Sequence, residues 1–259
     1  MAVAALHKAL HLPNSCWVNQ KLPKTFFKRN FDLTLSERKL LDDFSIIQQM
    51  EIVASVNAET ANIPAYADDT ITFEEINIIA IQTTNEQFDR QKHKIIELVQ
   101  KHLPRQLVVM VYDNQQMVLN VAEKRINLND TDKRVVEKLY TTVNLQLPIN
   151  ELKNQAFIES LAFEKANKLN LQNYYHHFIQ CCIGLQTAQI NGTFVARPYQ
   201  RSKEDALLLE EIETLKETIV TLENQAKKET QVADMLQLNT RIQELRKKIE
   251  NNQTQLSKQ

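Results

Sequence analysis

The sequence predicts an α/β (or α+β) protein: a small mixed sheet of about four strands covered by helices, with a C-terminal coiled coil or helical hairpin. Three observations predict it. Ile76, Ile78, Ile79, Ala80 and Ile81 are apolar at both parities, so the strand they form is covered on both faces. Segments of helical period alternate with such strands along the first two thirds of the chain. From Ser202 to Leu256 there is neither glycine nor proline, and leucine and isoleucine recur in alternating steps of four and three.

The opening stretch to Phe31 reads as loop, broken by Pro13 and Pro23. Thr34 and Glu37 form a capping box, and Leu40, Leu41, Phe44 and Ile47 give the helix behind it an apolar side, extending it to about Val56. A turn region spans Ile63-Pro64-Ala65-Tyr66 and Asp68-Asp69. Phe73 to Thr84 is the first strand. Thr84 and Gln87 then cap a helix carrying Phe88, Ile95, Ile96, Val99 and Leu103, stopped by Pro104. Leu107–Tyr112 and Met117–Ala122 read as a β-hairpin turning through Asp113-Asn114-Gln115. Val143, Leu145 and Leu147 alternate as one more strand. Asn150 and Asn170 are N-caps of two further helices, the second with a buried stripe of Leu171, Tyr175, Phe178, Cys182 and Leu185.

These elements form a globular domain over 1–195, hinged through Gly192–Arg201 to a helical tail over 202–257. The tail's first seam is Leu208, Ile212, Leu215, Ile219 and Leu222. Its second is Met235, Leu238, Ile242, Leu245, Ile249 and Leu256. The two are out of phase, with the change inside Lys227-Lys228-Glu229-Thr230-Gln231. A single helix with a phase shift and a hairpin both accommodate it, and the hairpin lets each arm bury the other's seam.

Composition narrows the function. The 31 lysines and arginines balance 32 aspartates and glutamates, so no global field draws the chain to nucleic acid or an anionic membrane. Three cysteines, two of them adjacent (Cys181 and Cys182), read as reduced thiols. No run approaches the roughly 20 apolar residues that span a bilayer, and residues 1–12 lack the features of a secretory signal, so a cytoplasmic location without membrane contact is expected. Two glycines cannot build a P-loop or a dinucleotide fingerprint, and no cofactor is expected.

The candidate chemistry is sparse. A metal-dependent nuclease would draw on Asp68, Asp69, Glu74, Glu75 or Asp113. A pairing of Asp113 with the Glu123-Lys124-Arg125 cluster fails, because a hairpin turning near Asn114 sets them on the order of 25 Å apart. His177 and Cys181 have the i, i+4 spacing of half a zinc site, against which a packed core helix is the simpler reading. Tyr174-Tyr175-His176-His177 is either a stacking surface or the edge of a helix on a sheet. Lys21, Lys24, Lys28 and Arg29, interleaved with Phe26 and Phe27, are the candidate phosphate contacts, with a solvated loop as the alternative. No catalytic or metal site is assigned.

Several segments in order resemble a bacterial family labelled domain of unknown function 4391. They are Val18-Asn19-Gln20-Lys21-Leu22-Pro23-Lys24, Leu40-Leu41, Ile63-Pro64-Ala65-Tyr66, Glu74-Glu75-Ile76, Asn170-Leu171-Gln172-Asn173-Tyr174-Tyr175, Lys227-Lys228-Glu229-Thr230-Gln231 and Leu238-Asn239. The sequence departs from the family at Val143-Asn144, where a tryptophan would be expected. The resemblance implies a locus shared with helicases and DNA methyltransferases in restriction-type or phage-defence systems. The expected role is a non-catalytic accessory subunit whose globular body docks a helicase, a methyltransferase or DNA, and whose tail pairs with a partner helix through Leu208 to Leu222 and Met235 to Leu256. The alternatives are a diverged nuclease of the same system and a self-associating coiled-coil protein unrelated to DNA.

Overall fold

A strand apolar at both parities must lie inside a sheet with helices on both sides, and that requirement organises the fold. The structure, a computed structural model, describes residues 2–128 and 130–258; Met1, at the head of the opening stretch, lies outside them. In chain order α1 (Ala2–Leu10) leads to β1 (Trp17–Lys21), α2 (Lys24–Asn30) and α3 (Leu35–Asp42). Next come β2 (Gln49–Asn57), the single turn α4 (Ala58–Ala61) and a small hairpin of β3 (Tyr66–Ala67) and β4 (Thr72–Phe73). β5 (Glu75–Gln82), α5 (Asn85–His102), β6 (Gln106–Tyr112), β7 (Gln116–Asn127), β8 (Asp130–Thr141) and β9 (Leu145–Gln146) follow. The helices α6 (Leu152–Ser160), α7 (Leu171–Asn191), α8 (Tyr199–Ala226) and α9 (Val232–Ser257) complete the described chain.

One mixed sheet has seven strands in the order β1-β2-β5-β6-β7-β8, with β9 also pairing β7. β5 and β6 are parallel, joined by α5, and the other pairings are antiparallel. Ile76, Ile78 and Ala80 of β5, with Val108 and Met110 of β6, face a core shared with α1 and α7. Ile79, Ile81, Val109 and Val111 face the other core, which contains Leu40 and Leu41 of α3 and Phe88, Ile95 and Val99 of α5.

Where β6 and β7 part, two side chains fill the gap. The Tyr175 hydroxyl accepts from Ala122 N at 2.9 Å and lies 2.9 Å from Leu107 O and 3.0 Å from Ala122 O. One phenol thereby serves main-chain groups that the separating strands leave unpaired. The buried Lys124 reaches the opposite face, where its Nζ donates to Leu103 O and Arg105 O, both at 2.9 Å. It thus sits at the C-terminus of α5, where exposed carbonyls attract a cation. Burial, with Arg134 nearby, pulls its pKa down to about 7.

Several expectations need correcting. The sheet is larger than about four strands. β8 carries no clear strand pattern in sequence, because its Lys133, Arg134, Glu137 and Lys138 obscure the alternation, as suits an edge strand. The helix capped at Thr34 has its capping box but ends at Asp42. Residues assigned to its second half form β2, where Val53, Ala54 and Val56 are buried between β1 and β5, and Phe44 is exposed. The opening stretch is not loop: Leu6 and Leu10 anchor α1 in the core, and Trp17 of β1 stacks on His7 at 3.6 Å. The strand over Val143–Leu147 contracts to β9, and α6 is preceded by Glu151 rather than capped by Asn150.

Lys124 gives a pH test. Its folded pKa is below that of an unfolded lysine, so between about pH 7 and 10 the unfolded chain holds the extra proton and stability rises with pH. Unfolded thiols ionise with a pKa of about 8.5, so the three buried cysteines oppose this trend from about pH 7.5 upward. In urea denaturation at pH 7, 8 and 9 the stability of the wild type minus that of Lys124→Met should rise by up to about 1.4 kcal/mol per pH unit, since the thiols contribute equally to both chains.

Candidate functional site at the junction of sheet and helical hairpin

The sequence sets the course of the chain into the last two helices through its two glycines. α7 ends at Gly192, whose φ of +81° is the left-handed conformation that terminates a helix. The chain then doubles back over α7 so closely that a Cβ on Gly184 would lie 2.4 Å from Val195 O. Only glycine allows this crossing, and it fixes where α8 starts.

The base of the hairpin is clamped by charge. Arg197 Nη1 binds both carboxylate oxygens of the buried Asp205, at 3.1 and 2.9 Å, while its Nη2 donates to Leu256 O at 2.8 Å. Arg201 contacts Asp205 at 3.3 Å and donates to Gln255 O at 3.0 Å. Two guanidinium groups therefore join the start of α8 to the last carbonyls of α9. Burial raises the pKa of Asp205 above the ordinary carboxylate value, against the pull of both arginines.

A second cluster seals α8 to the sheet. Glu123 of β7 accepts from the Tyr199 hydroxyl at 2.6 Å and the Tyr140 hydroxyl at 3.0 Å, and it pairs with Lys203. Lys203 also donates to the Tyr140 oxygen at 2.7 Å. Burial by itself would raise the Glu123 pKa, but Lys203 and the two phenols hold it below the usual value. His176 of α7 lies flat on Tyr199, with ring centroids 3.7 Å apart and planes 5° apart. Burial drops its pKa to about 4, with Glu123 opposing and Lys203 adding to the fall. Beside this cluster a cleft of about 750 Å³ opens between β8, α7 and α8, lined by Tyr140, Val143, Ile190, Leu209 and Glu210 among others.

The tail is a hairpin of two antiparallel helices. Glu211 contacts Lys248 at 2.6 Å and Asn252 at 2.9 Å, and Glu223 contacts Arg246 at 2.8 Å. The seam expected to meet a partner helix is turned inward. Ile212, Leu215, Ile219, Ile242 and Leu245 are buried, while Leu208, Leu222, Met235, Leu238 and Ile249 are half-buried. Leu215, Ile219, Ile242 and Leu245 form their own core between the arms. The apolar residues left outward are Leu207, Val220, Val232 and Leu236.

The other candidates are dispersed. Lys21 is on β1 and Lys24, Lys28 and Arg29 are on α2, so the basic stretch is strand and helix rather than loop. Lys24 lies 4.3 Å from the Phe44 ring centroid and Lys28 pairs with Asp42, whereas Lys21 and Arg29 are exposed. Glu75 begins β5 beside Ser55 and Arg105, whereas Asp113 follows the end of the parallel β6. Opposite ends of this strand pair stand on the order of 25 Å apart. Asp68 caps its own turn through Thr70 and Ile71, which hold its pKa at about 2. Among the described residues no three His, Cys, Asp or Glu side chains cluster as metal ligands. His177 Nε2 lies 2.7 Å from Ser160 O, and burial pushes the neighbouring Cys181 thiol up to about 12.

Sequence reasoning missed the two clamps. Glu123, Tyr175 and His176 stand out in the sequence, but nothing in their spacing pairs them with Tyr199, Lys203 or Asp205.

A family model described as Domain of unknown function (DUF4391) matches residues 10–249. No curated protein and no solved structure matches the chain.

Two tests follow from the junction. Gly184→Ala forces Val195 aside, so limited proteolysis within 193–198 should speed up at least severalfold. His176 remains neutral in the fold down to about pH 4, whereas an unfolded histidine protonates below about 6.5. Stability should therefore fall as pH drops from 6.5 to 4, and His176→Phe, which keeps the stack on Tyr199, should reduce that slope in thermal melts.

Proposed function

The chain belongs to this family of unknown function, and from that premise we propose that it is a non-catalytic assembly subunit of a bacterial restriction-type or phage-defence system. In this reading it is a cytoplasmic protein that docks a helicase or a DNA methyltransferase. The observation that carries the reading is the hairpin. With 28 and 26 residues its arms are each about 40 Å long, and the apolar core of their distal part lies between the arms themselves. A projecting element of this kind, its core already satisfied and Val220, Val232 and Leu236 left in solvent, presents a ready surface to another protein. The partner therefore meets the outer faces of the arms, while the inner seam keeps the arms together. Among the described residues no helix is long and apolar enough to cross a membrane.

DNA contact is assigned to the β1–α2 corner. Lys28 is already paired with Asp42, and Lys24 faces Phe44 and lies 3.5 Å from Asp43 O. Among the described residues Lys21 and Arg29 have no ion pair, and they carry most of the phosphate contact in this reading.

A tagged pull-down from cells carrying the native locus tests the docking. The full chain should retain the helicase or methyltransferase, and Val220→Asp with Leu236→Asp should lose it while leaving the melting temperature nearly unchanged. Leu215→Asp with Ile242→Asp should instead lower the melting temperature sharply, because each puts a charge between the arms. Recovery of the chain alone would sink the reading. In a DNA-binding titration of the complex, Lys21→Glu with Arg29→Glu should weaken affinity and shallow its salt dependence more than Lys24→Glu with Lys28→Glu. Magnesium-dependent cleavage abolished by Glu75→Gln would favour the nuclease alternative.

A further inference from the structure

The two edges of the sheet are built differently. β1, at one edge, has five residues, a register shift against β2 and a positive φ at Asn19, all of which discourage another strand from adding. β8, at the other, has twelve residues, no proline, and pairs along one side with β7.

The ladder shows which main-chain groups of β8 face outward. Thr142 N donates to Leu119 O, and Val121 pairs Tyr140, so the alternation turns Leu139 and Thr141 away from β7. Thr141 O confirms the direction, since it accepts from the Gln186 amide on the outer side. The register shifts between Glu123 and Lys124, with Glu137 as the additional residue of β8. Beyond that shift Val136 and Arg134 are the outward positions.

We propose that β8 is a self-association edge, along which a second copy of this chain pairs antiparallel and joins two seven-stranded sheets into one. One register satisfies the edge. With Glu137 opposite Lys138 of the second copy, Val136 meets Leu139 and Val135 meets Tyr140, and the ladder stops short of Thr141, whose outward carbonyl Gln186 already holds. The outward main-chain positions then face one another, the two irregularities lie opposite each other, and symmetry repeats the acid–base pair twice. Sliding by one residue puts Glu137 opposite Glu137 or Lys138 opposite Lys138, so charge selects the register. Space is available on both faces of the edge: the 750 Å³ cleft against α7 and α8, and a 400 Å³ groove against α5 lined by Val135, Val136 and Leu139. Glu137 contacts Arg125 at 2.9 Å and Lys138 contacts Glu210 at 2.6 Å, each with one exposed partner able to share the new contact.

Sedimentation equilibrium of the full chain tests this pairing independently of any helicase or methyltransferase. The wild type should sediment as twice the 30.1 kDa chain. Glu137→Lys and Lys138→Glu should each weaken association by at least about tenfold, since each sets like charges face to face. An equimolar mixture of the two variants should regain the double mass, because the bases of one then face the acids of the other. That recovery also shows that both variants are folded. A wild type that stays monomeric at high micromolar concentration overturns the proposal and leaves the edge to a strand of another protein. A dimer unaffected by both substitutions overturns it too, placing self-association elsewhere, for example on the hairpin.

Discussion

The attachment of α7 to the sheet is the constraint on which the rest of the structure depends. Four consecutive residues show how one helix serves several neighbours. Tyr175 puts its hydroxyl between β6 and β7, and His176 stacks on Tyr199 of α8. Tyr174 packs edge-on against Phe163, and His177 meets Ser160 O at the end of α6. Successive side chains on a helix diverge by about 100°, so a run of four polar aromatics can address four directions. Two turns further on, Gly184 lets the chain recross the helix at a distance no other residue permits.

Charge at these contacts has a positioning role. Asp205 with Arg197, Glu123 with Lys203, and Lys124 at the end of α5 are all buried or half-buried, where desolvation offsets much of the attraction. Apolar packing would hold α8 against the sheet at several nearby registers. A carboxylate that must meet two phenols and an ammonium group admits few. Because Arg197 and Arg201 reach the last carbonyls of α9, the hairpin is closed at its base as well as through its core.

This arrangement separates what the protein uses to fold from what it offers outward. The strongest apolar pattern in the sequence, the tail's seam, is consumed internally. The surfaces left over are quieter in sequence: scattered apolar residues on the outer arms, the exposed Lys21 and Arg29 at the β1–α2 corner and the edge of β8. A partner would have to be recognised by shape and by a few contacts.

The sequence alone determined much of the central frame: β5 as a strand covered on both faces, α5 up to its stop before Pro104, the β6–β7 hairpin and α7 behind Asn170, whereas the capping box expected of Thr84 and Gln87 does not form, the Thr84 hydroxyl donating to Ser45 O instead. Each carries a local signal, either a period, a cap or a breaker, that acts within a few residues. It also supplied the two out-of-phase seams, from which a hairpin could be preferred but not fixed. Tertiary structure decided the rest. Residues 49–57 became a strand because β1 and β5 offer hydrogen bonds that outweigh helical preference, and β8 formed despite its charges because an edge needs only one partner. Glu123 and Lys203, or Arg197 and Leu256, meet only after the sheet and helices are in place, across distances in the chain that no motif spans. Local periodicity reports which face of an element is apolar, whereas a junction is a property of two elements together.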